Sequence, residues 1–330
     1  MAHTPRRSLL RGAFATAALG AVPAAARAQG AGEPWPSRPI KLLVGFAPGG
    51  SSDVVARLLA QRISPLLGQQ VVVENRPGAG GRVAAEAVSR GPADGYTWVL
   101  LPSGHASQAA MLKTMPYDPV DGFAWIGTLT VYPMYIGVAP DSPIRTLRDL
   151  VERSKAAPGK LSFTSVGVGT AHHLIGEWIN AETGTDLVHV PYKGSAAAFT
   201  DVASGRVDVM VETATAALPF IRSGKLRAIA VTSAPGQSPL PGVATAAETI
   251  PGLEYESWLG VAMAPATPMP IVERVSQAIR TVLAQPEMVQ RLEELGGQAS
   301  PGTPEAFRAR VQQDIARFTK IVASRSIPKE

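Results

Sequence analysis

The 330-residue chain contains no cysteine. Disulfides, a thiol nucleophile, thiolate metal sites and the lipid-modified cysteine of a bacterial lipoprotein are therefore excluded. Aromatic residues make up only 6% of the chain, and no basic run is interleaved with them, so the pattern of a nucleic-acid surface is missing. Of the five histidines, those beyond the amino terminus are His105, His172, His173 and His189. His172-His173-x3-Glu177 is not the H-E-x-x-H zinc pattern, and one of two adjacent helical histidines must point away from any site. No metal and no cofactor is expected. Long apolar runs are also missing: the one at residues 12–22 falls short of the ~20 residues a membrane span requires.

That run belongs to an expected export signal. Arg6, Arg7 and Arg11 form a basic start, and Ala26-Arg27-Ala28 is a small-residue cleavage site. Arg6-Arg7 followed by Ser-Leu-Leu-Arg resembles a twin-arginine signal, with general secretion as the alternative. Cleavage after Ala28 would release an exported mature protein starting at Gln29. The discarded segment carries four of the 31 Lys+Arg and none of the 26 Asp+Glu, so the formal charge falls from +5 to +1. Nucleic-acid binding loses its electrostatic support with it. The roughly 300 remaining residues are ample for two domains held by core burial alone.

What is present is organised around residues 40–68. An apolar strand over 40–46 leads to a glycine turn at Pro48-Gly49-Gly50, then to a helix beginning near Ser51–Asp53. Val54, Val55, Leu58 and Leu59 keep helical spacing, and Pro65 and Gly68 are expected to end it. Glycines let a ligand approach without meeting a Cβ, and the first helical N–H groups lack intrahelical partners, which suits a carboxylate or phosphate. The same residues also serve as an ordinary N-cap that binds nothing. A phosphate loop is excluded, because Gly45-x4-Gly50-Ser51 has no lysine, and a dinucleotide turn lacks its third glycine.

Short apolar strands then alternate with helices, the signature of a parallel α/β sheet, whose ligands sit beyond the carboxyl ends of the strands. Strands are expected at 71–74, 96–101, 135–139, 161–166, 187–190, 207–211, 226–232 and 254–262. Helices are expected at 82–90, 147–156, 171–181, 215–222, 270–284, 287–295 and 304–324, with another from about 195 to 204. Ser103-Gly104-His105 reads as a small-residue turn. The strand–glycine turn–helix device returns at residues 161–181, through Gly167-Val168-Gly169-Thr170, and marks a second lobe.

Few residues carry chemistry. Arg76 and Lys193 lie in turns, as carboxylate partners or as solvated charges. Asp53 reads as structural. Glu212 ends a strand, either to receive an amine or protonated group or to cap the next helix. A serine hydrolase finds no G-x-S-x-G elbow to support it.

Several stretches together resemble the Bug (Bordetella uptake gene) family, the periplasmic solute-binding proteins of tripartite tricarboxylate transporters. They are Phe46-Ala-Pro-Gly-Gly-Ser-Ser-Asp53, Glu74-Asn-Arg-Pro-Gly-Ala-Gly-Gly81, Ala93-Asp-Gly-Tyr-Thr97, Gly167-Val-Gly-Thr-Ala-His172, Val190-Pro-Tyr-Lys-Gly194, Gly205-Arg-Val-Asp208, Ser223-Gly-Lys-Leu-Arg227 with Ala230-Val-Thr232, and Ser257-Trp-Leu-Gly260. They run in family order over nearly all of the mature chain. The resemblance implies a type II periplasmic-binding-protein fold: two α/β lobes with a ligand cleft between them. Lobe one would comprise residues 36–137 and 259–330, and lobe two residues 138–258. It further implies that backbone N–H groups, small hydroxyls and bridging waters grip a carboxylate between the two glycine turns. Carried over residue by residue, this points to Phe46, Ala47, Gly50, Ser51, Ser52, Ser103, Gly169, Thr170, Ala171, His172 and Lys193. One departure is Ala196-Ala197, where the family often has proline after Tyr-Lys-Gly-x.

The expectation is thus a monomeric, non-catalytic receptor for a small organic acid, partnered by the membrane permease of a tripartite transporter and binding no nucleic acid. Two other classes stand against it: a secreted serine hydrolase using Ser51 or Ser103, and a sensory partner that presents ligand to a membrane receptor.

Overall fold

A computed structural model describes residues 35–330; the expected signal segment lies outside the described residues. The chain begins with β1 (Ile40–Val44), α1 (Ser51–Leu67), β2 (Val71–Asn75), α2 (Arg82–Ser89), β3 (Thr97–Pro102) and α3 (Gly104–Met111). β1 lies between β2 and β3 and is parallel to both. A 15-residue strand follows, β4 (Ala124–Val138). Then come α4 (Leu147–Ala156), β5 (Ser162–Ser165), α5 (Ala171–Thr183), β6 (Val188–Pro191), α6 (Ser195–Ala203), β7 (Val209–Thr213), α7 (Ala214–Arg222) and β8 (Arg227–Val231). The chain closes with β9 (Glu256–Met263), α8 (Met269–Leu283), α9 (Pro286–Glu294), β10 (Gln298–Ala299) and α10 (Pro304–Ser324).

One strand ties the two lobes together. The first part of β4 pairs antiparallel with β9, ending at Pro133 opposite Glu256. From Met134 onward it pairs with β7 and β8 instead. Pro133 has no N–H to donate, which suits the point where a strand changes partners. Thr232 crosses at the same level. Its N–H donates to the Met134 carbonyl (2.9 Å), its hydroxyl accepts from the Met134 N–H (2.9 Å), and that hydroxyl donates to the Tyr255 carbonyl (2.6 Å).

Side-chain alternation explains why the strands read as continuous apolar runs. Leu42, Val44, Trp98, Leu100 and Tyr135 enter one buried cluster, and Leu43, Val99, Leu101, Met134 and Ile136 enter the other. Helices cover both faces, so the central strands are buried along most of their length. The first cluster takes in α1 and α8, the second α5 and α10.

Three local expectations change. α1 runs through Pro65 and ends at Gly68, whose φ is +74°. Proline removes one helical bond, but Ile63 and Leu67 are buried on either side of it, and that burial offsets the loss. The small-residue turn at Ser103 is the start of α3, a helix whose face is mostly alanine and polar, so no apolar periodicity announces it. β4 begins eleven residues before the expected strand, since glycine and threonine interrupt its apolar pattern.

Candidate functional site

The first glycine turn is held from below. Asp53, in the opening turn of α1, accepts from the Gly49 N–H (3.0 Å), from Arg57 Nε (3.1 Å) and from Asn75 Nδ2 (3.0 Å). Asn75 Nδ2 also donates to the Phe46 carbonyl. Burial works to raise the Asp53 carboxyl's pKa, but the bonds from Arg57, Gly49 and Asn75 prevail and hold it below the usual value. The left-handed residue of the turn is Gly49, at φ +88°. Gly50, the N-cap of α1, is extended at φ −82° and ψ 172°. A Cβ on Gly50 would meet the Ser195 hydroxyl at 3.5 Å.

The second glycine turn uses different partners. The Gly169 N–H donates to His173 Nδ1 (3.1 Å), and the Gly169 carbonyl accepts from the Ser107 hydroxyl (2.7 Å) on α3. Thr170 caps no helical N–H; its hydroxyl turns back to the Gly167 carbonyl (2.7 Å). Behind the turn, His173 stacks on His189 with ring centroids 3.8 Å apart. His189 Nε2 shares a hydrogen bond with the Ser165 hydroxyl, which accepts from the Gly167 N–H.

The two turns meet across the cleft. The Ala47 N–H donates to the Lys193 carbonyl (3.4 Å). A Cβ on Gly194 would lie 2.9 Å from Ala47 Cβ, and one on Gly167 would lie 2.9 Å from Gly80 Cα. Between them lies a cavity of about 490 Å³, counting the part open to solvent. Phe46, Ala47, Gly50, Ser51, Ser52, Ser103, Thr170, Ala171 and His172 line it. Gly169 does not; it lies beneath the turn, against Gln108. Lys193 is exposed and lines a separate groove with Gly78, Gly80 and Val168. Arg76 pairs with Glu74 at 2.6 Å on the exterior.

Five helices present their amino-terminal ends to this cavity: α1 by Gly50–Ser52, α3 by Ser103 and Gly104, α5 by Thr170–His172, α6 by Gly194 and Ser195, and α7 by its N-cap Thr213. No Lys or Arg lines it. The first N–H groups of a helix have no intrahelical partner and carry the positive end of its dipole, so this convergence favours an anion without Lys or Arg. Tyr132, Ser195, Glu212 and Ser257 also line it and were not among the expected site residues. Glu212 alone left a signal, a lone acid at a strand end. Tyr132 and Ser257 come from the crossing strands; Ser257 opens the family-like stretch Ser257-Trp-Leu-Gly260, and nothing in the local sequence marks Tyr132.

The serines are engaged with neutral hydroxyls. Ser51 Oγ lies 3.4 Å from Tyr132 Oη, and Ser103 Oγ bonds Ser257 Oγ (2.8 Å) and accepts from Tyr255 Oη (3.0 Å). Neither has a histidine among its described hydrogen-bond partners, so the nucleophile–base pair of a hydrolase is not assembled there. Among the described residues no helix is long and apolar enough to cross a membrane.

The family model for the tripartite tricarboxylate transporter family receptor matches residues 55–327. A UPF0065 protein from the tcbD-tcbE intergenic region of Pseudomonas sp. strain P51 is 35% identical over 98% of this chain and 95% of its own length. The structure of the periplasmic binding protein BugD superposes with a TM-score of 0.85 at 34% identity, covering 90% of this chain and all of that one. An R. palustris protein solved with adipate gives a TM-score of 0.85 at 33% identity, with coverage of 90% and 100%.

Proposed function

This chain belongs to the tripartite tricarboxylate transporter receptor family, the Bug proteins, and from that premise we propose that it captures a small carboxylated solute for the membrane components of such a transporter. Members of the family are periplasmic solute-binding receptors with an α/β periplasmic-binding-protein fold, not enzymes. The observation that carries the proposal is the convergence of five helix amino termini on one cavity without Lys or Arg. Such a site rewards a carboxylate that can be fully desolvated against peptide N–H groups and hydroxyls. The adipate bound by the R. palustris relative is a small carboxylic acid of this kind.

In this reading lobe one comprises residues 36–137 and 259–330, and lobe two residues 138–258. The solute lies against Phe46, Ala47, Gly50, Ser51, Ser52, Ser103, Thr170, Ala171 and His172. Gly169 supports the turn from beneath, and Lys193 contributes its carbonyl to closure. Residues 1–28 direct export, and the intact mass of the exported protein should correspond to a chain starting at Gln29.

A ligand that bridges both lobes binds the folded state alone, so at 100-fold excess over Kd it adds about 2.7 kcal/mol of stability. At least one carboxylic acid in a thermal-shift panel should raise Tm, and its amide or ester should not. Equal shifts by acid and amide would refute the carboxylate grip.

A further inference from the structure

Glu212 is the one acidic residue lining the cavity. It sits near the end of β7, opposite Tyr135 of β4, and is 2% exposed. Its Oε1 accepts from the Thr213 N–H (2.8 Å) and the Thr213 hydroxyl (3.0 Å), and pairs with His172 Nε2 (3.1 Å). None of these three bonds uses Oε2. Burial pushes the carboxyl's pKa up, but His172, the Ser195 hydroxyl and Thr213 outweigh it and hold the group below the usual value. An ionised carboxylate therefore stands in a cavity that otherwise favours anions. No side chain caps the first turn of α7; Oε1 is held by Thr213 and His172, and the Ser195 hydroxyl, which also lines the cavity, reaches the same carboxylate.

Two carboxylates brought together at this spot would repel one another. A solute must keep its own carboxylate toward the helix amino termini and offer Glu212 a hydrogen-bond donor. We propose that Glu212 is a specificity-determining residue that accepts from a hydroxyl or ammonium group of the solute. The protein then selects hydroxy or amino acids over the same acids without the donor. This rests on the carboxylate-receptor reading above and narrows it.

The test is titration calorimetry with matched triads: a plain acid, its 2-hydroxy and its 2-amino derivative. The triads cover mono- and dicarboxylic acids of three to six carbons and phenyl-substituted acids. Wild type should bind one donor-bearing member at least tenfold tighter than its plain acid, on the order of the difference made by one hydrogen bond to a charged group. Preference for the amino over the hydroxy member identifies the donor as ammonium, and the reverse as hydroxyl. In Glu212→Gln that ratio should fall several-fold. The wild-type ratio stands by itself if the variant melts early. A plain acid that binds as tightly as its derivatives, or a ratio unchanged in Glu212→Gln, overturns this inference alone. Binding by no acid at all overturns the receptor reading beneath it.

Discussion

The two glycine turns that face each other across the cleft share one plan, strand then turn then helix, yet they are held in opposite ways. In the first, an aspartate braces the turn, with Arg57 and Asn75 behind it. In the second, an imidazole nitrogen accepts from the turn, and a second imidazole is stacked behind that. The glycines differ too. Gly50 at the first turn has an ordinary extended backbone, whereas Gly169 at the second has φ +78°. The same local motif can therefore be rigid for different reasons, and its failures should differ in kind.

The largest expected effect separates the glycines. Gly169→Val forces a β-branched residue into the left-handed region and sets its Cβ 3.0 Å from Gln108 Cγ. Strain of this kind costs roughly 1–3 kcal/mol before any clash is counted. Ligand binding should fall below detection with a lowered Tm, because the turn deforms although Gly169 does not line the cavity. Gly50→Ala adds a methyl 3.5 Å from the Ser195 hydroxyl, an ordinary contact, at an allowed φ. It should keep wild-type Tm and weaken binding by about tenfold or less, about 1.4 kcal/mol. Calorimetry and melting of both variants check this, and equal losses would erase the contrast.

A smaller effect separates the turns by pH. Burial is the main cause that pushes the His189 imidazole down to about 3. In the unfolded chain it titrates near 6.5. Between those values the unfolded state holds more protons, so stability is complete above pH 6.5 and is lost as pH falls toward 3. Asp53 behaves otherwise. Its carboxyl is held below its usual value near 3.8, so its contribution persists until the pH drops through that lower range. From pH 6.5 to about 4 the second turn should soften and the first should not. His105, pushed down to about 4 by burial, adds to the wild-type slope, so the reading is the difference between wild type and His189→Gln. The variant's Tm should depend less steeply on pH, by less than the ~1.4 kcal/mol per unit of one whole proton, since this ring is only partly buried. Parallel curves would show that the imidazole pair does not brace the turn.

The smallest effect concerns the hydroxyls. Thr170 donates within its own turn and Ser51 lies near Tyr132, so alanine at either removes one hydrogen bond, worth about 1 kcal/mol. Each should weaken binding roughly fivefold. Abolition of binding by Ser51→Ala alone would mean that a side chain, not the backbone, holds the anion.

Much of the fold was legible, for reasons that particular residues make plain. Gly68 and Gly184 mark helix ends because the left-handed cap they adopt is cheap for glycine. Thr303 marks the start of α10 because its hydroxyl accepts from the Ala306 N–H. α3 was not legible as a helix, since its burial comes from the second lobe and from α10 rather than from an apolar stripe of its own. At the site, the turn residues announced themselves by composition, while Tyr132 did not.

Alone, the sequence determined the alternation of strands and helices, the two glycine turns and the absence of thiol chemistry, because each depends on residues adjacent in the chain. Tertiary structure decided which helix amino termini converge, that Gly169 supports the turn without lining the cavity, and that Lys193 offers its carbonyl and lines a separate groove. It also decided that Glu212, 40 residues from His172, shares the cavity with it. These outcomes depend on how β4 changes partners at Pro133 and brings two lobes face to face. Pairing between distant segments is a property of the whole sheet, and no local pattern encodes it.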